Sequence, residues 1–145
     1  MKNGSFSTSF AVTQSPEEVF GAVTNVRGWW SKSLKGKSAN LGDEFTFRYQ
    51  DIHESRQRLV EVVPDKRVVW LVLDASLNFV KDKHEWKGTK VVFDIAKKGR
   101  KTELTFTHEG LVPSFECFEA CSGGWDYYID TSLKNLITTG KGQPE

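Results

Sequence analysis

The chain has 145 residues, a length that suits one domain, and its 20 Lys and Arg against 19 Asp and Glu leave a net charge of +1. That balance carries no electrostatic footprint for nucleic acid or for an anionic membrane, so neither is expected as a partner. No stretch approaches the ~20 apolar residues of a membrane span, and Met1-Lys2 is not followed by the apolar run of a signal peptide, which makes the cytoplasm the expected location. The chain carries ten Phe, five Trp and three Tyr but a single Met; such flat, rigid side chains either fill a core or wall a ligand cavity.

Residues 5–13 read as a strand, with Phe6, Phe10 and Val12 on one parity. Ser15-Pro16-Glu17-Glu18 then forms an N-cap, a proline at the first helical position and a capping-box glutamate. The helix it opens is short, with Val19, Phe20 and Val23 as its buried stripe, and 26–30 predicts a second helical turn. Residues 31–42 read as a polar loop. Glu44–Tyr49 alternates, with Phe45, Phe47 and Tyr49 on one face. Residues 56–63 make the next strand, ended by Pro64-Asp65. Residues 67–73 are apolar on both parities, as in a strand covered on both faces. A fourth run covers 83–96, with a bulge or bend expected at Gly88-Thr89. After the Lys98-Gly99 turn, 102–108 puts Leu104, Phe106 and His108 on one face. Short turns between consecutive strands predict an antiparallel meander.

Ser114 is the expected cap of a long helix in which Phe118, Cys121, Trp125, Ile129, Ser132 and Leu136 form one stripe and Gly140 is the stop. Some 25 residues give a rod of about 38 Å, long enough to cross a small domain. A helix with one apolar face needs a partner, and the sheet is the one available. The prediction is an α+β fold: about six antiparallel strands, two short helices after the first, and a long C-terminal helix packed across the sheet.

Inward positions are assigned to Phe45, Phe47, Tyr49, Phe93, Phe106, Phe118 and Trp125, to which Trp30, Trp70, Trp86, His108, Cys121, Tyr128 and Ile129 are added as candidate cavity lining. The same residues would equally make a closed, packed core. His108 is either an orienting or acid–base group acting with Tyr49 or Tyr128, or a half-exposed, hydrogen-bonded strand-end histidine; Glu109 faces the other way. Cys117 and Cys121 lie four apart, but no second Cys pair or His-x-His group completes a closed zinc site. Arg56, Arg58, Lys66 and Arg67 are an anion site or solvated strand charges, and 97–101 is a basic hairpin. Gly123-Gly124 either admits a ligand or allows a kink beside Trp125, or packs against a bulky strand residue. No Ser-His-Asp order, phosphate-cradling loop or metal motif occurs, so neither catalytic residues nor a cofactor are predicted.

The element order is joined by Ser15-Pro16-Glu17-Glu18-Val19-Phe20, Trp29-Trp30, Glu61-Val62-Val63-Pro64 running into Arg67-Val68-Val69-Trp70, Glu85-Trp86-Lys87-Gly88-Thr89, Thr105-Phe106-Thr107-His108-Glu109-Gly110-Leu111, and the helix with Gly124-Trp125 and Ser132-Leu133. Together these resemble the START-like superfamily, also called SRPBCC or birch-pollen-allergen-like. Within it they are similar to the homologues of the C-terminal domain of the activator of heat-shock-protein-90 ATPase. The resemblance covers nearly the whole chain and implies one helix-grip domain over 1–145, with a cavity between sheet and long helix. It implies binding of a small apolar molecule such as a lipid, sterol or polyketide. The alternatives it implies are a chaperone-interaction module linked to stress response and, as in a few members, a cyclase or hydrolase. The full co-chaperone has a further N-terminal domain, for which this length leaves no room.

Overall fold

A computed structural model describes residues 5–49, 53–77, 86–111 and 118–144. Strand β1 (Ser5–Val12) leads into helix α1 (Pro16–Thr24), where the predicted capping box forms: the Ser15 hydroxyl accepts from the Glu18 N–H at 3.1 Å, and the Glu18 carboxylate accepts from the Ser15 N–H at 3.0 Å. Such a cap contributes about 1 kcal/mol and fixes where the helix starts. Val19 and Val23 turn inward. The second helical element is one 3₁₀ turn, Val26–Gly28, which delivers Trp29 and Trp30 to the interior.

The sheet is antiparallel and has seven strands, in the order β1-β7-β6-β5-β4-β3-β2, rather than six. The extra strand is β2 (Lys35–Gly36), a two-residue edge inside the segment that reads as a polar loop. Two residues are too few to show alternation. Tertiary constraints make this strand: Arg27 donates to the carbonyls of Leu34 and Gly36, both at 2.8 Å, and Gly36 sits at φ +102° with the Glu44 carbonyl where a Cβ would stand. β3 (Glu44–Tyr49), β4 (His53–Val63), β5 (Arg67–Leu77), β6 (Lys90–Lys98) and β7 (Lys101–Glu109) follow as a meander, and β1 closes onto β7. β5 lies between β4 and β6, and its Val68, Val69 and Trp70 are buried on both parities. The irregularity expected inside β6 is instead a turn before it, with Gly88 at φ +85°, and the register shifts fall in β4 at Arg56/Gln57 and Leu59/Glu61. Residues 83–85 lie outside the described residues.

The C-terminal helix runs from Phe118 to Thr139; the predicted cap at Ser114 lies outside the described residues. The helix is α-helical over Phe118–Tyr127 (α2) and Lys134–Thr139 (α3), with a π turn over Tyr128–Leu133 between them. There the Lys134 N–H reaches back to the Ile129 carbonyl, five residues earlier. A π turn inserts about one extra residue per turn and rotates everything after it. The buried stripe is therefore Cys121, Trp125, Ile129, Leu133 and Ile137, and Leu136, which a 3.6 period puts inside, is only half-buried. Gly140 ends the helix at φ +84°, its N–H on the Leu136 carbonyl. No helix among the described residues is long and apolar enough to cross a membrane.

Polar side chains help to fasten this helix. Thr8 donates to the Asp130 carboxylate at 3.0 Å, and the buried Ser132 hydroxyl donates to the Trp29 carbonyl at 2.7 Å while accepting from the Gln143 N–H at 2.7 Å. One hydroxyl thus joins the helix, the tryptophan turn and the C-terminal tail. Replacing it strands two backbone groups in low dielectric. Ser132→Ala is expected to lower the unfolding free energy by about 1–3 kcal/mol, read from urea denaturation midpoints.

Candidate functional site

A cavity of about 540 Å³ lies between one end of the sheet and the C-terminal helix. Phe47 and Tyr49 of β3 and His53 of β4 form its sheet wall; Trp30 and Trp86, each just outside a regular element, form two further walls. Ala120, Cys121, Gly124, Trp125, Tyr127 and Tyr128 complete it from the helix. These helix positions fall three or four apart, so they share a face. Tyr127 is 46% exposed and stands at the mouth. A Cβ built on Gly123 or Gly124 meets nothing within 4 Å, so close packing against a strand residue does not explain either glycine; at Gly124 the cavity reaches the helix backbone.

Behind the cavity the interior is filled. Phe45, Trp70, Phe93 and Phe106 are fully buried and pack on one another; Trp70–Phe93 and Phe93–Phe106 centroids are 5.0 and 5.3 Å apart. These four predicted lining residues are core, because strand parity specifies the face but not the depth along it. Ile129 is likewise sealed in the core, and Phe118 is half-buried against it. Trp30, Phe47, Tyr49, Trp86, Cys121, Trp125 and Tyr128 do border the cavity.

His108 is neither half-exposed nor open to the cavity: it is fully buried and both ring nitrogens are engaged. The Trp125 indole N–H donates to Nδ1 at 3.0 Å. An indole only donates, so Nδ1 is the bare nitrogen and the ring proton sits on Nε2. Nε2 donates to the Thr89 hydroxyl at 2.8 Å, which donates to the Trp86 carbonyl at 2.6 Å. Burial, and secondarily the neighbouring His53, push the His108 pKa down to about 3. Burial also lowers His53, to about 4. Both rings meet the Trp86 indole edge to face, at 4.5 Å for His53 and 4.7 Å for His108. Along β4, His53 Nε2 lies 3.2 Å from the Ser55 hydroxyl, which also receives the Gln57 amide at 2.6 Å. The Trp86 indole N–H and the Gln57 side-chain carbonyl are buried with no hydrogen-bond partner among the described residues.

His53, Ala120, Gly124 and Tyr127 are the lining residues absent from the predicted set. His53 had a signal: it lies directly opposite Tyr49 in the β3–β4 ladder, and opposed residues share a face. The strand read from sequence starts at Arg56, three residues too late to include it. The basic strand residues are surface pairs. Arg56 and Arg58 each stand 3.9 Å from Glu44, and Arg67 bridges Glu61 at 3.3 Å and Asp94 at 2.5 Å. No group of three potential metal ligands occurs among the described residues, and Cys117 lies outside them.

A buried neutral histidine makes stability depend on pH. The unfolded chain takes up a proton near the ordinary 6.5 and the folded chain only near 3, so the unfolded state binds more protons between those values. His108 therefore stabilises fully above pH 6.5, and that contribution is lost as pH falls toward 3. From pH 7 to pH 4 the native protein is expected to lose up to about 3 kcal/mol through this site. His108→Gln, less stable at pH 7, should show a correspondingly shallower dependence in urea melts at each pH; parallel curves would refute the assignment.

The family model for activator of Hsp90 ATPase homolog 1-like protein matches residues 13–138. No curated protein matches the sequence. Among solved structures, the chain is similar to the Aha1 dimer from Colwellia psychrerythraea, with 23% identity, a TM-score of 0.75, and coverage of 95% of this chain and 98% of that one. It is also similar to the Mll3558 protein from Rhizobium loti (20% identity, TM-score 0.68, covering 87% and 92%). DynU16, a putative protein in the dynemicin biosynthetic locus, is 18% identical with a TM-score of 0.71, and the match covers 97% of this chain and 49% of DynU16. The matched family model spans nearly the whole described fold, and the chain belongs to the activator of Hsp90 ATPase homolog 1-like family of START-like (SRPBCC) proteins.

Proposed function

We propose that this protein binds small, largely apolar molecules in the cavity between sheet and C-terminal helix, without chemistry of its own. The observation that carries this reading is the cavity itself. Its volume of about 540 Å³ falls within the ~300–1,000 Å³ of ligand sites, and its walls are rigid rings beside an open glycine. His108, the residue best suited by type to acid–base work, has no nitrogen left for a substrate. The occurrence of a similar fold in the dynemicin biosynthetic locus is in keeping with small-molecule handling. The lining side chains, with Trp30, Trp86 and Trp125 among them, are the proposed contacts, and the cytoplasm is the proposed location.

Gly124 offers a direct test, because filling the cavity there does not disturb the core. Gly124→Leu extends a side chain into open space and replaces a residue that weakens a helix by up to ~1 kcal/mol. The variant should melt no lower than the parent, yet bind the neutral apolar dye N-phenyl-1-naphthylamine at least tenfold more weakly. Equal binding by both proteins would move the dye, and the proposed site, elsewhere.

A second reading, favoured by the family match, is a chaperone-interaction module. It predicts that the protein at micromolar concentration raises the ATPase rate of a bacterial heat-shock-protein-90 homologue. An unchanged rate and no complex on gel filtration would remove it.

A further inference from the structure

We propose that β1 is an interaction edge for a second copy of this chain, which pairs with it antiparallel about a two-fold axis at Ser9 and joins the two sheets into one. β1 ends the sheet: its backbone is bonded to β7 on one side, and among the described residues no strand pairs with the other. Such an edge is a template for another strand unless it is short, charged, bulged or broken by proline. β1 has none of these protections. It runs for eight residues, Ser-Phe-Ser-Thr-Ser-Phe-Ala-Val, in unbroken register with β7. Every other strand of the sheet carries a charged residue, and the opposite edge, β2, is only two residues long. Phe6, Thr8 and Phe10 share the core-facing parity of the buried Val12 but are only half-buried.

The occupant follows from charge. Pairing about a two-fold axis sets each residue opposite one on the same face, so the axis passes at a residue, and Thr8 and Ser9 are the two at the centre of the strand. One flank of the C-terminal helix lies over β1: Asp130 accepts from Thr8 at 3.0 Å, and the Lys134 ammonium stands 5.9 Å from the centre of the Phe10 ring. Four helical residues rise about 6 Å and two strand residues about 7 Å, so this flank keeps step with the strand.

With Ser9 on the axis, Thr8 stands opposite Phe10 of the second copy, and Asp130 therefore faces the second copy's Lys134. The same contact forms again on the other side of the axis. With Thr8 on the axis, the two Asp130 carboxylates would face each other instead. Exposed ion pairs add little affinity, but opposed like charges reject a register, and here they favour Ser9. That register also sets Phe6 against Val12 and Ser7 against Ala11, so the whole strand from Phe6 to Val12 is used and its half-buried rings are covered. β1 and the strands that border the cavity, β3 and β4, lie toward opposite ends of the sheet, so the pairing stands apart from what the cavity holds.

Sedimentation equilibrium of the 145-residue chain at micromolar concentration should give twice its mass of 16.4 kDa. Ser9 is exposed, so Ser9→Lys leaves the monomer's interior untouched while it brings two ammonium groups together at the axis. It should weaken the dimer at least about tenfold. Asp130→Lys and Lys134→Asp should each weaken it too, and the double exchange should restore it, which loss of monomer stability alone would not do. Ser9→Cys should form a disulfide-linked dimer on air oxidation. Ser7→Cys, whose two copies stand about 14 Å apart in this register, should cross-link no more than the parent chain with its own two cysteines. A single 16.4 kDa species up to millimolar concentration would overturn the proposal and leave the edge to an extended peptide of another protein. A dimer indifferent to Ser9→Lys, or one in which Ser7→Cys cross-links as readily as Ser9→Cys, would overturn it as well.

Discussion

How far the C-terminal helix stands from the sheet is set by a buried hydrogen bond, from the Trp125 indole to His108 on β7. A hydrogen bond has a narrow distance range, and both partners are large rigid rings, so together they act as a spacer. The Trp125 ring packs on Phe106 at 4.7 Å and on Trp30 at 5.0 Å, so it cannot tilt to let the helix settle closer. The tie at Ser132, two turns on, holds the other part of the helix to the tryptophan turn. On the N-terminal side of Trp125 the helix presents Ala120 and Gly124 rather than long side chains, and the cavity is what remains.

The chain Trp125–His108–Thr89–Trp86 also explains why a histidine stands here. It needs an acceptor toward the helix and a donor toward the turn before β6, and a neutral imidazole supplies one of each in a flat frame. Leu or Phe would fill the volume and strand both Trp125 and Thr89. The depressed pKa follows from this structural role: both ring nitrogens are committed within a dry interior, so a second proton has neither a place nor a solvent. A strongly shifted histidine often marks a catalytic site; here the saturated partners account for it.

Elements whose causes are local were legible in the sequence. Ser15 and Glu18 cap a helix from within one turn, β3 and β7 alternate, and Gly140 supplies the left-handed residue that ends the last helix. What escaped has its cause elsewhere in the chain. β2 exists because Arg27 and β3 hold it, and the π turn carries Ser132, bound to a carbonyl 103 residues earlier. The candidate site was half legible for a related reason. Alternation assigns Phe45, Phe47 and Tyr49 to one face, but Phe45 is core while Phe47 and Tyr49 border space, and only the paths of α2 and the Trp30 turn decide where the filled part ends.

Trp30 is the boundary between the two parts. It stacks on Trp70 at 5.6 Å and lies edge to face with Phe45 at 6.4 Å on the packed side, and it meets Phe47, Trp125 and Tyr128, which line the cavity, on the other. The packed side needs no help from the cavity to hold the fold, since Trp29, Trp70, Phe93 and Phe106 are already buried against one another and against the aliphatic core. Native interiors rarely leave large voids, because each unfilled volume forfeits dispersion contacts. This fold can carry one because the loss falls on side chains that keep a packed face on the Trp30 side. A single indole thus separates the part of the interior that is packed from the part that stays unfilled.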